Sequence, residues 1–148
     1  MAEPIVFANA TVVDGTGAAP FPADVRVVGE RIDAVGPPGS IPQGRRIDGT
    51  GRLLTPGFID IHSHSDYTLL VDPRAVSAIA QGVTTEVIGN CGFGCAPIGD
   101  PKLAASAIYG FDDSIPLTWR GLGAYLDRLQ AARPAVNVLS LVPNGQLR

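Results

Sequence analysis

Apolar and polar positions follow two different rhythms on either side of Gly57. Before it, the apolar runs are short and interrupted by turn residues. IVFANATVV is followed by DGTG, while VRVV and RIDAV flank Gly29-Glu30, a glycine-first pair suited to a two-residue hairpin of the II′ kind. The stretch GPPGSIPQG, residues 36 to 44, marks a loop, after which RRIDGTGRLLTPG returns to strand-like residues. Residues 1–56 are therefore expected to form a β segment.

From Gly57 the rhythm becomes strand, helix, strand, helix, strand. A first strand is expected over Phe58 to His64, with Phe58, Asp60, His62 and His64 on one face and Ile59 and Ile61 packed under helices on the other. Asp72-Pro73 reads as an N-cap and first helical residue, with Ala75, Val76, Ile79 and Ala80 as the apolar face and Gly82 as the left-handed stop. Val83 to Ile88 is rich in β-branched residues and reads as the second strand. Leu122, Tyr125, Leu126 and Leu129 define a further amphipathic helix, and Ala135 to Val142 a third, largely buried strand.

Such alternation is the mark of parallel βαβ units. A (β/α)8 barrel needs roughly 250 residues, and the chain stops where a third helix should follow. The expected fold class is α/β: an N-terminal β segment, part of a small β-sandwich, followed by the first three β/α units of an incomplete (β/α)8 barrel over residues 57–148.

Composition narrows the partners. The net charge is −3, the pI is near 5.2, and Lys102 is the single lysine among 11 basic residues, which leaves no basic cluster for nucleic acid or anionic lipid. No run approaches a membrane span and no leader is legible, so a cytoplasmic location and a small-molecule or protein partner are expected. Cys91 and Cys95 are too few for a disulfide scaffold and read as thiols or ligands, a Cys91–Cys95 bridge being the alternative in an exported protein.

The candidate chemistry lies in GFIDIHSHSDYTLL, which holds both histidines of the chain. At the C-terminal end of a parallel strand, His62 and His64 can ligate one divalent ion, although His-x-His alone is equally a hydrogen-bonded pair at a strand end. Cys91 closes the run VTTEVIGNC in the same layer, and thiolate is a good zinc ligand; the plainer reading of a lone cysteine is a small buried hydrophobe. The flanking Gly89 and Gly92 favour the ligand reading, because they open the loop.

These residues carry a resemblance. TPGFIDIHSHSD followed by PRAVSAIAQGVTTEVIGNCGFGCAP resembles the N-terminal third of the amidohydrolase superfamily, and more closely its N-acyl-D-amino-acid deacylase branch. NATVVDGTGAAPFPADVRVVGERIDAVG resembles that family's opening β segment. The resemblance implies a zinc-dependent hydrolase with His62, His64 and Cys91 as metal ligands, zinc as cofactor and an N-acyl amino acid as substrate. It implies no catalytic residue within this chain, since the remaining histidines and the catalytic aspartate come from later strands. Asp66 matches a frequent family position, and a solvated loop carboxylate explains it as well. Cys95 has no family counterpart and is expected to be structural.

One departure stands out. Where the family's third strand usually ends in GHG-x-L-R, this chain reads Pro143-Asn144-Gly145-Gln146-Leu147-Arg148, so Asn144 and Arg148 are the candidates on the substrate side. Asn144 hydrogen-bonds but cannot serve as a base near neutral pH. Two alternatives accompany the enzyme reading. One is a non-catalytic truncated or split-enzyme piece that associates with a chain supplying the missing strands, or with copies of itself. The other is an amidohydrolase for a cyclic amide, against which the GNCG cysteine argues.

Overall fold

The computed structural model describes residues 3–147 and divides into two compact units, Met1–Pro56 and Gly57–Arg148. It is a mixed α/β structure with one sheet in each unit.

In the first unit, β1 (Ile5–Val12) is central. It pairs antiparallel with β2 (Phe21–Val28) and parallel with β4 (Arg45–Asp48) and β5 (Leu53–Leu54), while β3 (Arg31–Gly36) runs antiparallel to β2. Every second residue of β1 is buried (Val6, Ala8, Ala10, Val12), the period of a half-covered strand. The β2–β3 turn is at Gly29-Glu30 with Gly29 at φ +59, as the glycine-first pair requires. At Asn9 (φ +57) the β1–β2 register slips, and the freed Asn9 N–H donates to Oδ1 of buried Asp24 at 2.8 Å. Asp24 also accepts from Gly39 N–H (3.1 Å) and Arg46 Nη2 (3.0 Å).

In the second unit, β6 (Phe58–Asp60), β7 (Val83–Ile88) and β8 (Asn137–Ser140) are parallel in that order. Between them come α1 (Thr68–Val71), α2 (Val76–Ile79), α3 (Pro101–Ala107) and α4 (Leu122–Ala132). One core gathers Tyr67, Leu69, Ile88, Trp119, Tyr125 and Leu129. On α4 the buried pair Tyr125 and Leu129 sits at i, i+4, as expected, but Leu126 is only partly covered.

Several expectations are corrected. The first strand ends at Asp60, because its Oδ1 accepts the His62 N–H at 3.0 Å and turns the chain out of the ladder. His62 and His64 thus lie in the loop beyond β6. Ile59 (63% exposed) and Ile61 (74%) do not pack under helices. The third strand is shorter than Ala135–Val142 and is not largely buried, Leu139 being 58% exposed, because β8 is an edge whose outer face carries no layer among the described residues.

The helix expected from Asp72-Pro73 is absent at that point. Asp72 instead ends α1, and its carboxylate takes both the Arg74 amide and the Arg74 guanidinium. The Pro73 carbonyl accepts Ala135 N–H at 2.7 Å, so it cannot start a helical ladder, and Ala75 turns left-handed at φ +47. Only Val76–Ile79 then becomes helical, with Ala78 buried and Val76 and Ile79 exposed. Gly82 is left-handed, φ +82, as expected.

Candidate metal centre at the strand ends

The loops after β6 and β7 bring three side chains together. The ligating atoms of His62, His64 and Cys91 all lie within 4.8 Å of one another, with His62 Nε2 3.2 Å from Cys91 Sγ. The two imidazole rings meet edge-on at 5.4 Å between centroids. Among the described residues no other group of His, Cys, Asp or Glu gathers in this way.

Local structure explains the convergence. Past Asp60, the Ser63 N–H rejoins β7 at the Val87 carbonyl (3.0 Å), so the alternation of a strand persists in the loop. Ser63 and Ser65 turn their hydroxyls to the buried carboxylate of Glu86 on β7, and His62 and His64 are left on the opposite side. Beyond β7 the chain coils through Gly89 (φ +79), Cys91 (φ +56) and Gly92 (φ +80). Holding the cysteine left-handed costs about 1–2 kcal/mol, and it aims the thiol at the histidines. Asn90 offsets that cost, since its side-chain amide donates to Ser63 O (3.2 Å) and Val87 O (2.7 Å), each bond contributing about 1 kcal/mol.

The donor set suits zinc. Tetrahedral zinc holds nitrogen at about 2.0 Å and thiolate sulfur at about 2.3 Å, which spaces ligand atoms roughly 3.3–3.6 Å apart. His62 Nε2 and Cys91 Sγ, 3.2 Å apart, already lie near that spacing, and His64 completes the group within 4.8 Å. Cys91 is exposed rather than packed as a small hydrophobe.

Other residues of the loops take different places. Asp66 is not a solvated carboxylate. It is 5% exposed, and burial pushes its carboxyl up to about 6 against the pull of its own and the Gly89 backbone N–H groups and of nearby His64. Cys95 is buried and free, its thiol pushed well up by desolvation, and its carbonyl accepts the Trp119 indole N–H at 2.6 Å. The two cysteines are not joined. Asn144 is exposed in the turn after β8, which meets the cysteine loop where Gly145 faces Gly92. Arg148 lies outside the described residues.

Three residues near the histidines were not legible from sequence. Glu86 looked like one more residue of a β-branched strand, and its burial follows only from the two serines that reach it. Asn90 carries no signal in sequence beyond its place in GNCG. Tyr109 lies against His64 at 5.9 Å between centroids, from a stretch with no periodicity to flag it.

Parallel strands ending in a His-x-His loop and a cysteine loop agree with the sequence comparison: the profile described as "Amidohydrolase family" matches residues 45–148, and the chain belongs to that family. Its similarities are more particular than the family. It is 40% identical to the N-acyl-D-glutamate deacylase of Alcaligenes xylosoxydans xylosoxydans over 97% of this chain and 29% of that protein. The crystal structure of N-acyl-D-glutamate deacylase from Bordetella bronchiseptica, complexed with zinc and a phosphonate inhibitor, superposes with a TM-score of 0.86 at 34% identity, covering 99% of this chain and 31% of that one. A D-aminoacylase structure, described by its binuclear metal centre, gives a TM-score of 0.85 at 38% identity, with 99% and 31% covered. The chain spans about a third of the length of the relatives it matches.

Proposed function

We propose that this chain supplies the opening part of a zinc-dependent amidohydrolase that cleaves the amide bond of N-acyl-D-amino acids, with His62, His64 and Cys91 as metal ligands. The observation that carries the reading is the convergence of those three donor atoms within 4.8 Å at the ends of two parallel strands. In this reading residues 57–148 are the first three β/α units of a (β/α)8 barrel, and residues 1–56 are a β segment belonging to a small sandwich. The substrate class comes from the relatives, which are named as deacylases of N-acyl-D-glutamate and as D-aminoacylases.

The chemistry a zinc ion supplies when bound in such a site is Lewis acidity toward an amide carbonyl and activation of water. The chain's own part is to hold and shape the centre. The imidazole nitrogens of His62 and His64 and the Cys91 sulfur would hold the ion, and the buried Asp66 carboxyl draws in the Gly89 amide at the root of the cysteine loop. Asn144 and Arg148 are assigned to the substrate side, where an amide and a guanidinium can meet a carboxylate. No general base is assigned within the chain. The exposed Ile59, Ile61 and Leu139 support completion of the sheet by further strands, whether from the same polypeptide, another chain or a second copy. No helix among the described residues is long and apolar enough to cross a membrane, and two free thiols fit a reducing compartment such as the cytoplasm.

The test is metal content of the purified protein by atomic emission, beside release of free amine from N-acyl-D- and N-acyl-L-amino acids. His62→Ala and Cys91→Ala should each lower bound zinc. Unchanged stoichiometry in both would sink the ligand assignment, and equal turnover of the two enantiomers would sink the substrate class.

A further inference from the structure

Asn90 sits between the two ligand loops and belongs to neither donor set. Its side chain is buried, and its one nitrogen serves two carbonyls, Ser63 O at 3.2 Å and Val87 O at 2.7 Å. Ser63 is the residue between His62 and His64, and Asn90 is the residue before Cys91. One carboxamide therefore ties the histidine segment to the cysteine loop. The Val87 carbonyl receives the Ser63 N–H as well, so backbone and side chain close on the same point.

The alternatives available to that loop show why a tie is needed. Gly89 and Gly92 flank Asn90-Cys91 with left-handed backbone, and a glycine-flanked loop has many conformations of similar energy. Cys91 itself is left-handed, a conformation that persists only when its surroundings over-determine it. A carboxamide is the small side chain able to donate two hydrogens from one atom toward two carbonyls. A carboxylate would set two further acceptors against them, and a methyl would take this donor from both, leaving the Val87 carbonyl with the Ser63 N–H alone.

We infer that Asn90 is a positioning residue for the metal centre: its carboxamide fixes the separation of Cys91 from His62 and His64, so that the donors are gathered before an ion arrives. The inference rests on the ligand assignment proposed above. Hydrogen bonds that orient ligands without touching the metal typically govern affinity by 10- to 100-fold, and that is the size of effect expected here.

The experiment compares wild type, Asn90→Ala, Asn90→Ser, His62→Ala and Cys91→Ala in the whole protein. Zinc affinity is measured by competition with a chelator, and cobalt(II) is then titrated in to read the near-ultraviolet thiolate-to-metal charge-transfer band. Asn90→Ala should bind zinc roughly 10- to 100-fold more weakly with a shifted or weakened thiolate band. Asn90→Ser, which keeps one donor, should fall between it and wild type. Asn90→Ala with wild-type affinity and an unchanged band, beside clear losses in His62→Ala and Cys91→Ala, overturns the positioning role alone. Wild-type affinity in those two overturns the ligand assignment beneath it. Should the Asn90 variants fail to fold, the nitrogen-15 spectrum of the unmodified protein decides. Two separate, slowly exchanging Asn90 side-chain amide protons are expected, and rapid exchange of both would refute the tie.

Discussion

Replacing Gly89 by alanine tests how tightly the cysteine loop is built. Gly89 has φ +79, and an added Cβ would stand 2.6 Å from the Leu141 carbonyl oxygen and 3.2 Å from its carbon, well inside the 3.4 Å at which ordinary contact begins. The obstacle is backbone, and it is held in place because the Leu141 N–H donates to Ile88 O at 2.9 Å. Two costs add: about 1–2 kcal/mol for an L-residue in left-handed conformation, and about 1–3 kcal/mol for forcing a methyl into filled space. Gly89→Ala should therefore lose roughly 2–5 kcal/mol. Gly92 provides the control, since it has φ +80 but its nearest obstacle is the Gly145 nitrogen at 3.3 Å, leaving about 1–2 kcal/mol of backbone strain. Urea unfolding of both variants measures the difference, and zinc affinity should fall with Gly89→Ala because Cys91 must move with the loop. Losses in the two variants within about 0.5 kcal/mol of each other would refute the reasoning, showing that the loops after β7 and β8 part easily.

Other outcomes follow from the same contacts. The exposed Cys91 thiol should react with a thiol reagent in the folded protein and be protected by zinc, whereas Cys95, buried with its thiol pushed up, should react only on unfolding; equal rates would contradict the burial. In the first unit, the Asn9 N–H and then Arg46 hold the Asp24 carboxyl below its ordinary 3.8 against the effect of burial. A carboxyl so depressed stabilises the fold above 3.8 and loses that contribution as pH falls through its lowered value. Asp24→Asn should cost about 1.5–3 kcal/mol near neutral pH, and a gap to wild type that does not narrow in acid would count against it.

Much of the scaffold was legible because it rests on short-range patterns. The alternation in IVFANATVV, the Gly29-Glu30 turn, the β-branched VTTEVI strand and the Tyr125–Leu129 face each appear where local periodicity places them. The same kind of signal does not open a helix at Asp72-Pro73 and does so at Asp100-Pro101. Both pairs are an acidic cap before proline, yet only the second opens a helix, with Asp100 Oδ1 accepting the Lys102 N–H at 2.9 Å. At the first pair, Arg74 occupies the carboxylate and the distant Ala135 N–H occupies the Pro73 carbonyl. Local sequence offers the cap, and a long-range hydrogen bond decides whether it is used.

The candidate site divides along the same line. Sequence alone named the candidate donors, because the chain holds only two histidines and two cysteines and the resemblance around GNCG singles out Cys91. Only tertiary structure decided how they meet. The Asp60 turn carries the histidines off the strand, the left-handed Cys91 points its thiol back at them, and Glu86 and Asn90 hold the two loops in register. The contacts Ser65–Glu86, Ser63–Glu86, Ser63–Asn90 and His62–Cys91 join residues 21 to 29 apart in the chain, and no local preference reports a contact across that distance. Asp66 shows the physical reason most plainly: a carboxylate in a polar stretch looks solvated in sequence, and becomes buried only when the cysteine loop closes over it.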